Sequence, residues 1–221
     1  TITVNRPEVL NAQSRIMREE LDQAFDDAAN DDSVKVVIVA GAGEHFSAGH
    51  DLGSPQEMED REKRPYSPGT AGEYERSWQQ NVANTLRWRD FPKPTIARVH
   101  GYCIMGGIIL ASSCDLIVAS EDARFSDRTV RWGGPHVQFV SLPWEIGIRK
   151  AKEYLFTGDW MSAHEAERLG LVNRVVPRDK LEEETMELAQ RIALQDPFAL
   201  RLSKASLNQV QDQMGYRNSV M

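Results

Sequence analysis

Residues 96–111, IARVHGYCIMGGIILA, run from an apolar strand through a glycine turn into an apolar helix that begins at Gly106. The first amides of a helix have no partner inside the helix, so they can bind a carbonyl oxygen that gains negative charge. The same glycines would also allow the strand to pack closely against the helix. Taken alone, the segment is explained more simply by that packing.

A second turn adds weight to the chemical interpretation. The sequence FSAGHDL, at 46–52, follows the buried strand predicted by VKVVIVA at 34–40. One N–H from this turn, paired with one from the helix start at Gly106, would form an oxyanion hole with two donors. The GAG at 41–43 resembles a dinucleotide fingerprint, but its third glycine is missing and no helical pattern follows. This disfavours a nicotinamide or flavin site.

Strands and helices alternate along the rest of the chain. Ile16, Leu21 and Phe25 recur at helical spacing and predict an amphipathic helix. Residues 53–76 are rich in Pro, Gly, Glu and Arg and predict a long mobile loop. The predicted strands are 1–4, 34–40, 95–100, 115–119 and 171–176, and the predicted helices are 14–29, 74–90, 106–113, 147–156, 162–169 and 178–194. This alternation predicts an α/β fold.

The composition narrows the class of protein. With 221 residues, 41% of them hydrophobic and 27% charged, the chain has the profile of a soluble globular protein. Its net charge of −7 supplies no general basic field for nucleic acid or an anionic membrane, and no apolar run approaches the roughly 18 residues of a membrane span. Cys103 and Cys114 lie in apolar surroundings without metal-ligand spacing, so we expect no disulfide scaffold or zinc site and a reducing, cytoplasmic location.

Several motifs together resemble one known family. They follow a fixed order along nearly the whole chain: NRP at 5–7, NA at 11–12, FSAGHDL at 46–52, HGY at 100–102, GG at 106–107, CD at 114–115, ARF at 123–125, TG at 157–158 and GLV at 170–172. In this order the chain resembles the crotonase (enoyl-CoA hydratase/isomerase) superfamily. No single motif is specific for this family, but the occurrence of all of them in this order is.

The resemblance implies a fold and a ligand. The fold is a right-handed spiral of ββα units with C-terminal helices, and the ligand is an acyl-coenzyme A thioester. We expect a spiral core over 1–177 and a helical region over 178–221 that lacks further C-terminal residues. The expected assembly is a homotrimer or hexamer, and no cofactor is implied beyond the coenzyme A of the substrate.

The resemblance also assigns residues to the site. The backbone N–H groups of His50 and Gly106 correspond to the oxyanion hole that stabilises a thioester enolate. Ala48, His50, Asp51 and Leu52 correspond to the lining of the adenine and pantetheine path. Arg6 is expected near the nucleotide end of the ligand.

The chain departs from the family where hydratases carry two glutamates. The positions that would face the acyl group are Ile109 and Thr129. Neither side chain transfers protons at neutral pH, and the loss of a general acid or base typically lowers the rate by about 10²–10⁴. Ordinary hydration of an enoyl-CoA is therefore not expected. Isomerisation, hydrolysis of a thioester or carbon–carbon bond, and decarboxylation remain open.

Two other residues are candidates for proton transfer. Strand alternation would place Asp127 on the same face as Thr129, although a salt bridge with Arg128 or Arg131 would also explain it. His136 follows the Gly133-Gly134-Pro135 turn, where relatives bind water or carry a nucleophile, and a histidine suits a general base. The competing hypothesis is an acyl-CoA-binding member of the superfamily without catalytic activity.

The remaining candidates have structural explanations. His100 is expected to be packed, His45 to lie in a solvated turn and His164 on an exposed helix face. Glu145 follows Trp144 at a predicted helix start, which accounts for it adequately. The loop at 53–76 is expected to act as a lid over the acyl pocket.

Overall fold

The computed structural model describes residues 1–133 and 139–220. Its strands are β1 (Ile2–Val4), β2 (Val37–Gly41), β3 (Thr95–Val99), β4 (Tyr102–Ile104), β5 (Leu116–Ser120), β6 (Arg124–Ser126), β7 (Met161–Ser162) and β8 (Arg174–Val176). Its α-helices are α1 (Arg15–Asn30), α2 (Pro55–Lys63), α3 (Gly69–Ser77), α4 (Asn84–Arg89), α5 (Gly106–Ser113), α6 (Leu142–Ile146), α7 (Ile148–Thr157), α8 (Ala163–Leu169), α9 (Leu181–Ala193), α10 (Pro197–Gln213) and α11 (Tyr216–Val220).

The larger sheet is parallel and has the strand order β1-β2-β3-β5-β8. Val39 pairs with Ile2 on one side and with Ala97 on the other, and Ala97 pairs in turn with Ile117. Every residue of β2 is buried, as expected for a strand covered on both faces. The predicted α/β arrangement is therefore present.

A smaller sheet runs beside the first and has the order β4-β6-β7. Isolated parallel bridges from Ser47 to Cys103 and from His50 to Gln13 continue its pattern toward the start of the chain. The chain thus adds one segment to each sheet in turn as it winds. Because of this winding, the segments around residues 13, 50 and 103 lie next to one another.

The expectation of a mobile loop over 53–76 is wrong. Helices α2 and α3 occupy most of it. The Ser54 side chain caps α2 and Pro55 opens it, and the ion pairs Arg61–Glu57 and Lys63–Glu59 lie one helical turn apart. Because α2 is polar nearly all round, it has no hydrophobic period for sequence reasoning to detect.

The other predicted elements are present with changed limits. The helix predicted at 74–90 begins at Gly69 and continues through a π-helical turn at Trp78–Ala83 into α4. The strand predicted from 171 is confined to β8. A 3-10 turn at Arg178–Lys180 precedes α9.

The strand expected to carry Asp127 and Thr129 ends before them, at Ser126. The Asp127 side chain accepts hydrogen bonds from the backbone N–H of Thr129, at 3.0 Å, and from its hydroxyl, at 2.5 Å. This local bonding begins the 3-10 turn Thr129–Trp132 instead of extending the strand. The two residues are neighbours, but strand alternation is not the reason.

Cys103 and Cys114 are buried free thiols, as the apolar surroundings predicted. Burial raises the pKa of both thiols. Across the described ranges, no helix combines the length and the apolar character needed to cross a bilayer.

Candidate active site

The turn before α5 lies directly against the turn that contains His50. A Cβ atom on Gly106 would lie 3.1 Å from the His50 backbone nitrogen and 3.0 Å from its imidazole ring. Gly49 has φ +98°, and a Cβ there would lie 2.8 Å from the Ile104 carbonyl oxygen. Glycine at both positions therefore lets the two backbones approach each other closely.

The hydrogen bonds of the His50 segment orient its amide. Gln13 donates its N–H to the Gly49 carbonyl at 2.7 Å, and Asp51 donates to the Gln13 carbonyl at 3.0 Å. In such a parallel bridge the central residue directs its own N–H away from the partner strand. The His50 N–H is thus on the side opposite Gln13.

Gly106 is the first residue of α5, so its N–H belongs to the amides that have no acceptor inside the helix. Met105 precedes it with φ 44° and ψ −101°, a conformation that costs a residue with a side chain roughly 1–3 kcal/mol. Met105 is held there because its N–H donates to the Ser126 carbonyl and its carbonyl accepts from Ile109 N–H, each at 3.0 Å. Strain of this kind concentrates at functional sites, and nothing in the sequence indicated it.

The side of this turn next to Ile109 is mostly apolar and holds one buried carboxylate, that of Asp127. Ile109, Asp127 and Thr129 are all at least 95% buried. Met105, Ile109, Asp127 and Phe139 line one narrow cavity, and among its described lining residues Asp127 carries the only carboxylate. Arg131, offered as a salt-bridge partner of Asp127, instead pairs with Asp159 at 2.7 Å.

Arg6 and Asp51 brace the turn that follows His50. Arg6 donates to Asp51 at 2.7 Å, to the Ala12 carbonyl at 2.6 Å and to the Ser54 hydroxyl at 2.8 Å. Burial acts to raise the pKa of Asp51, but hydrogen bonds from Ser54, Arg6 and Gly53 outweigh it and hold that pKa at about 2. The internal bonds of the Arg6 guanidinium give it a structural role, and its predicted nucleotide contact stays a prediction.

Two further members of the predicted ligand path lie at the edges of this turn. The Ala48 N–H donates to the Leu10 carbonyl at 2.9 Å, which fixes the start of the turn. Leu52 is 65% exposed at its tip. Both stay candidates for contacts with coenzyme A.

The predicted histidines divide into three groups. His136 falls within residues 134–138, outside the described part of the chain, so its predicted role stays a prediction. His100 is packed as expected: its Nε2 lies 3.0 Å from the Gly43 carbonyl, and burial, with Arg178 nearby, lowers its pKa to about 4. His164 is exposed on its helix, whereas His45 is not simply solvated, because its ring stacks on Tyr102 at 4.1 Å.

Sequence reasoning missed Arg18 and Gln13, both 3% exposed beside the oxyanion turns. Arg18 Nη1 lies 3.1 Å from His50 Nδ1 and 3.4 Å from Gln13 Oε1. A signal for Arg18 was available, because it lies three residues before Leu21 on the buried face of α1. A charged residue on the apolar stripe of a helix indicates a specific partner.

Comparison with known proteins places the chain in a family. The enoyl-CoA hydratase/isomerase family profile matches residues 1–219. A putative enoyl-CoA hydratase of Mycobacterium tuberculosis is 44% identical over 97% of this chain and 71% of its own. A hydroxycinnamoyl-CoA hydratase-lyase of Pseudomonas fluorescens is 31% identical over 92% of this chain and 72% of its own.

Solved structures agree. A probable enoyl-CoA hydratase from Mycobacterium smegmatis superimposes with a TM-score of 0.89 and 45% identity, covering 99% of this chain and 85% of the other. An enoyl-CoA hydratase/isomerase from Xanthobacter autotrophicus also gives a TM-score of 0.89, at 36% identity, covering 99% and 78%. The predicted crotonase-type spiral with C-terminal helices is confirmed.

Proposed function

Because the chain belongs to the enoyl-CoA hydratase/isomerase family, we propose that it acts on an acyl-CoA thioester whose enolate is stabilised by the N–H groups of His50 and Gly106. Asp127 carries the proton. The thioester carbonyl accepts from both amides, and the negative charge that develops on its oxygen is stabilised in a largely water-free site. The single observation that carries the proposal is the close approach of the Gly106 turn to the His50 amide.

A one-carboxylate site favours isomerisation among the reactions left open. Asp127 removes a proton from the α-carbon of a 3-enoyl-CoA, giving a dienolate held by the two amides. The same carboxyl group returns that proton to the γ-carbon, and the product is the 2-enoyl-CoA. No water or second acid is consumed, which suits a cavity in which Asp127 is the one carboxylate among the described lining residues.

The coenzyme A portion would extend from the oxyanion turn along Ala48, Asp51 and Leu52, and no cofactor other than the substrate's own coenzyme A is needed. Arg6 would act on this path by holding the turn in shape, through its bond to Asp51.

We also propose a homotrimer or a hexamer. Helix α10 and the residue that follows it expose apolar side chains: Phe198, Leu207 and Met214 are each about two thirds exposed or more. Apolar patches of this kind mark interfaces between subunits. Sedimentation of the purified protein measures the assembly directly.

The test of function is a panel of 3-enoyl-, 2-enoyl-, β-keto- and aroyl-CoA thioesters, with turnover and binding measured in parallel. We expect the double bond of a 3-enoyl-CoA to migrate, and the absorbance of the conjugated 2-enoyl-CoA product measures the rate. Solvent deuterium should enter the γ-carbon of the product less than fully, because one carboxyl group carries the proton between the two carbons. Hydrolysis of members of the panel without any double-bond migration would contradict isomerisation and would favour a water-using reaction.

A noncatalytic acyl-CoA-binding protein is the second candidate. The observation that favours it is the pair of hydrogen bonds by which Thr129 engages one oxygen of Asp127. Tight binding of the panel without turnover of any member would support this candidate over the first.

A further inference from the structure

Arg18 is a buried cation in an unusual environment. Its Nε and Nη2 atoms have no hydrogen-bond partner among the described residues, and its guanidinium lies over the Trp88 ring at 5.4 Å. Burial lowers the pKa of Arg18 to about 10, Asp22 and Tyr66 counteract this, and Arg87 adds to it. The guanidinium is therefore charged at neutral pH, and its Nη1 group faces His50.

The chemistry of this contact is one-directional. A guanidinium has donors only, so His50 Nδ1, 3.1 Å from Arg18 Nη1, must accept. A neutral imidazole that accepts at Nδ1 carries its proton on Nε2. The other tautomer would direct two N–H groups at each other, and an imidazolium would place a second positive charge beside the guanidinium.

The Arg18 group also reaches the other half of the oxyanion site. Its Nη1 makes a long contact of 3.4 Å to Gln13 Oε1. Gln13 Nε2 donates to the Gly106 carbonyl at 2.9 Å and lies 3.3 Å from the Ser47 hydroxyl. Both residues whose amides face the thioester are thus linked to one buried cation.

We propose that Arg18 is a positioning residue that holds His50 as the neutral Nε2–H tautomer and, with Gln13, fixes the spacing between the His50 and Gly106 turns. The His50 ring packs within 3.0 Å of where a Cβ on Gly106 would lie, so rotation of the ring would displace one turn relative to the other. His50 Nε2–H is then a hydrogen-bond donor, and the ring is not the proton acceptor of the reaction.

The tautomer is tested without any substrate. The chain has five histidines, so the ¹⁵N imidazole signals of labelled protein can be assigned by comparison with His50→Gln. We expect an unprotonated Nδ1 and a protonated Nε2 for His50 in the folded wild type across neutral pH. A protonated Nδ1, in either the other tautomer or the imidazolium, would overturn the proposal.

The consequence for turnover rests on the proposed function and is tested separately. We expect Arg18→Met to lower kcat by up to about 10²-fold with little change in KM, since small displacements of reacting groups have effects of that size. Arg18→Lys, which keeps a cationic donor, should retain part of the activity and the His50 tautomer. The control Arg168→Met removes an exposed arginine that pairs with Glu165, away from Arg18, and should leave kcat unchanged.

The outcomes separate the two claims. If the wild-type protein turns over none of the thioesters, the proposed function is contradicted. The ¹⁵N signals of His50 still decide the tautomer in that case. An Arg18→Met protein with normal kcat and an unchanged His50 signal contradicts the positioning role. If Arg18→Met does not fold, Arg18→Lys and the wild-type spectrum decide the question: an unchanged His50 tautomer with partial activity supports the role, and a changed tautomer with full activity refutes it.

Discussion

The two sides of the candidate site differ in what builds them. On the amide side, the proposed donors are the backbone N–H groups of His50 and Gly106, and Gly49 and the strained Met105 hold the two turns in place. On the acyl side, side chains decide the chemistry, and there the sequence predicts Ile109 and Thr129 at the positions of the two hydratase glutamates. The backbone side is kept by the fold, whereas single substitutions can change the other side.

This difference explains how one fold can serve several reactions. Stabilising an enolate needs two N–H groups at a fixed spacing, which turns and helix starts supply whatever their side chains. Moving protons needs specific groups within hydrogen-bond reach, and these can be replaced without disturbing the amides. The sequence should therefore reveal the shared step more readily than the individual reaction.

The largest expected effect concerns hydration of crotonyl-CoA. A relative that carries both glutamates should be faster by at least 10²–10⁴, since each missing acid or base typically changes the rate by about that much. Initial rates measured by loss of enoyl absorbance give the comparison. Wild-type hydration as fast as an efficient hydratase would show that the acyl side works by another route.

A restoring variant sharpens that comparison. Ile109→Glu with Thr129→Glu supplies the two carboxylates, and we expect hydration to rise above the wild-type level if water and the nearby N–H groups keep both charged. Ile109→Gln with Thr129→Gln is the matched control of similar size without ionisable groups. Equal rates for the two double variants would mean that proton transfer is not what limits hydration.

Asp127 is the next target on the acyl side. Asp127→Asn keeps the size of the side chain and can still accept from Thr129, but it cannot carry a proton, so kcat should fall by about 10²–10⁴. The control Asp159→Asn alters an exposed carboxylate that pairs with Arg131. If both variants retained normal kcat, Asp127 would be a turn-forming residue alone.

The amide side is tested at Gly106. Gly106→Pro removes one N–H at a helix start, where proline is tolerated, and a lost oxyanion donor lowers kcat by about 10²–10³. Gly106→Ala keeps the N–H, and its methyl group meets the same His50 atoms. Proline also disfavours the ψ of −101° at Met105, so circular dichroism of Gly106→Pro must first show an intact fold. We then expect a far lower kcat for Gly106→Pro than for Gly106→Ala, and similar values would remove Gly106 from the oxyanion role.

Sequence reasoning predicted the α/β alternation because buried strands and the α5 turn have periodic or glycine signals. It failed over 53–76, where α2 is stabilised by Ser54, ion pairs and buried carboxylates rather than by an apolar stripe. It identified His50 and Gly106 because the turn sequences around these two residues match the family pattern. It missed Arg18, because the contact of Arg18 with His50 joins α1 to a turn more than thirty residues later in the chain.

The smallest effect is expected at Glu145, which lies outside both sides of the site. Glu145 is half-buried near Arg89 and Tyr216, and burial raises the pKa of its carboxyl group to about 7, although Arg89 acts to lower it. A raised carboxyl pKa stabilises the fold below the ordinary value near 4.5, and that contribution is lost as pH rises through about 7.

Glu145→Gln has no charge to bury, so its stability advantage over wild type should grow between about pH 4.5 and pH 8, to the order of 2 kcal/mol. Thermal unfolding of both proteins across this range measures the difference in Tm. We expect kcat to stay the same, because Glu145 is not among the described residues that line the cavity of Ile109 and Asp127. A difference in Tm that is independent of pH would show that burial does not raise the pKa of the Glu145 carboxyl group. A large fall in kcat would instead place Glu145 on the acyl side, which would then contain a second carboxylate besides that of Asp127.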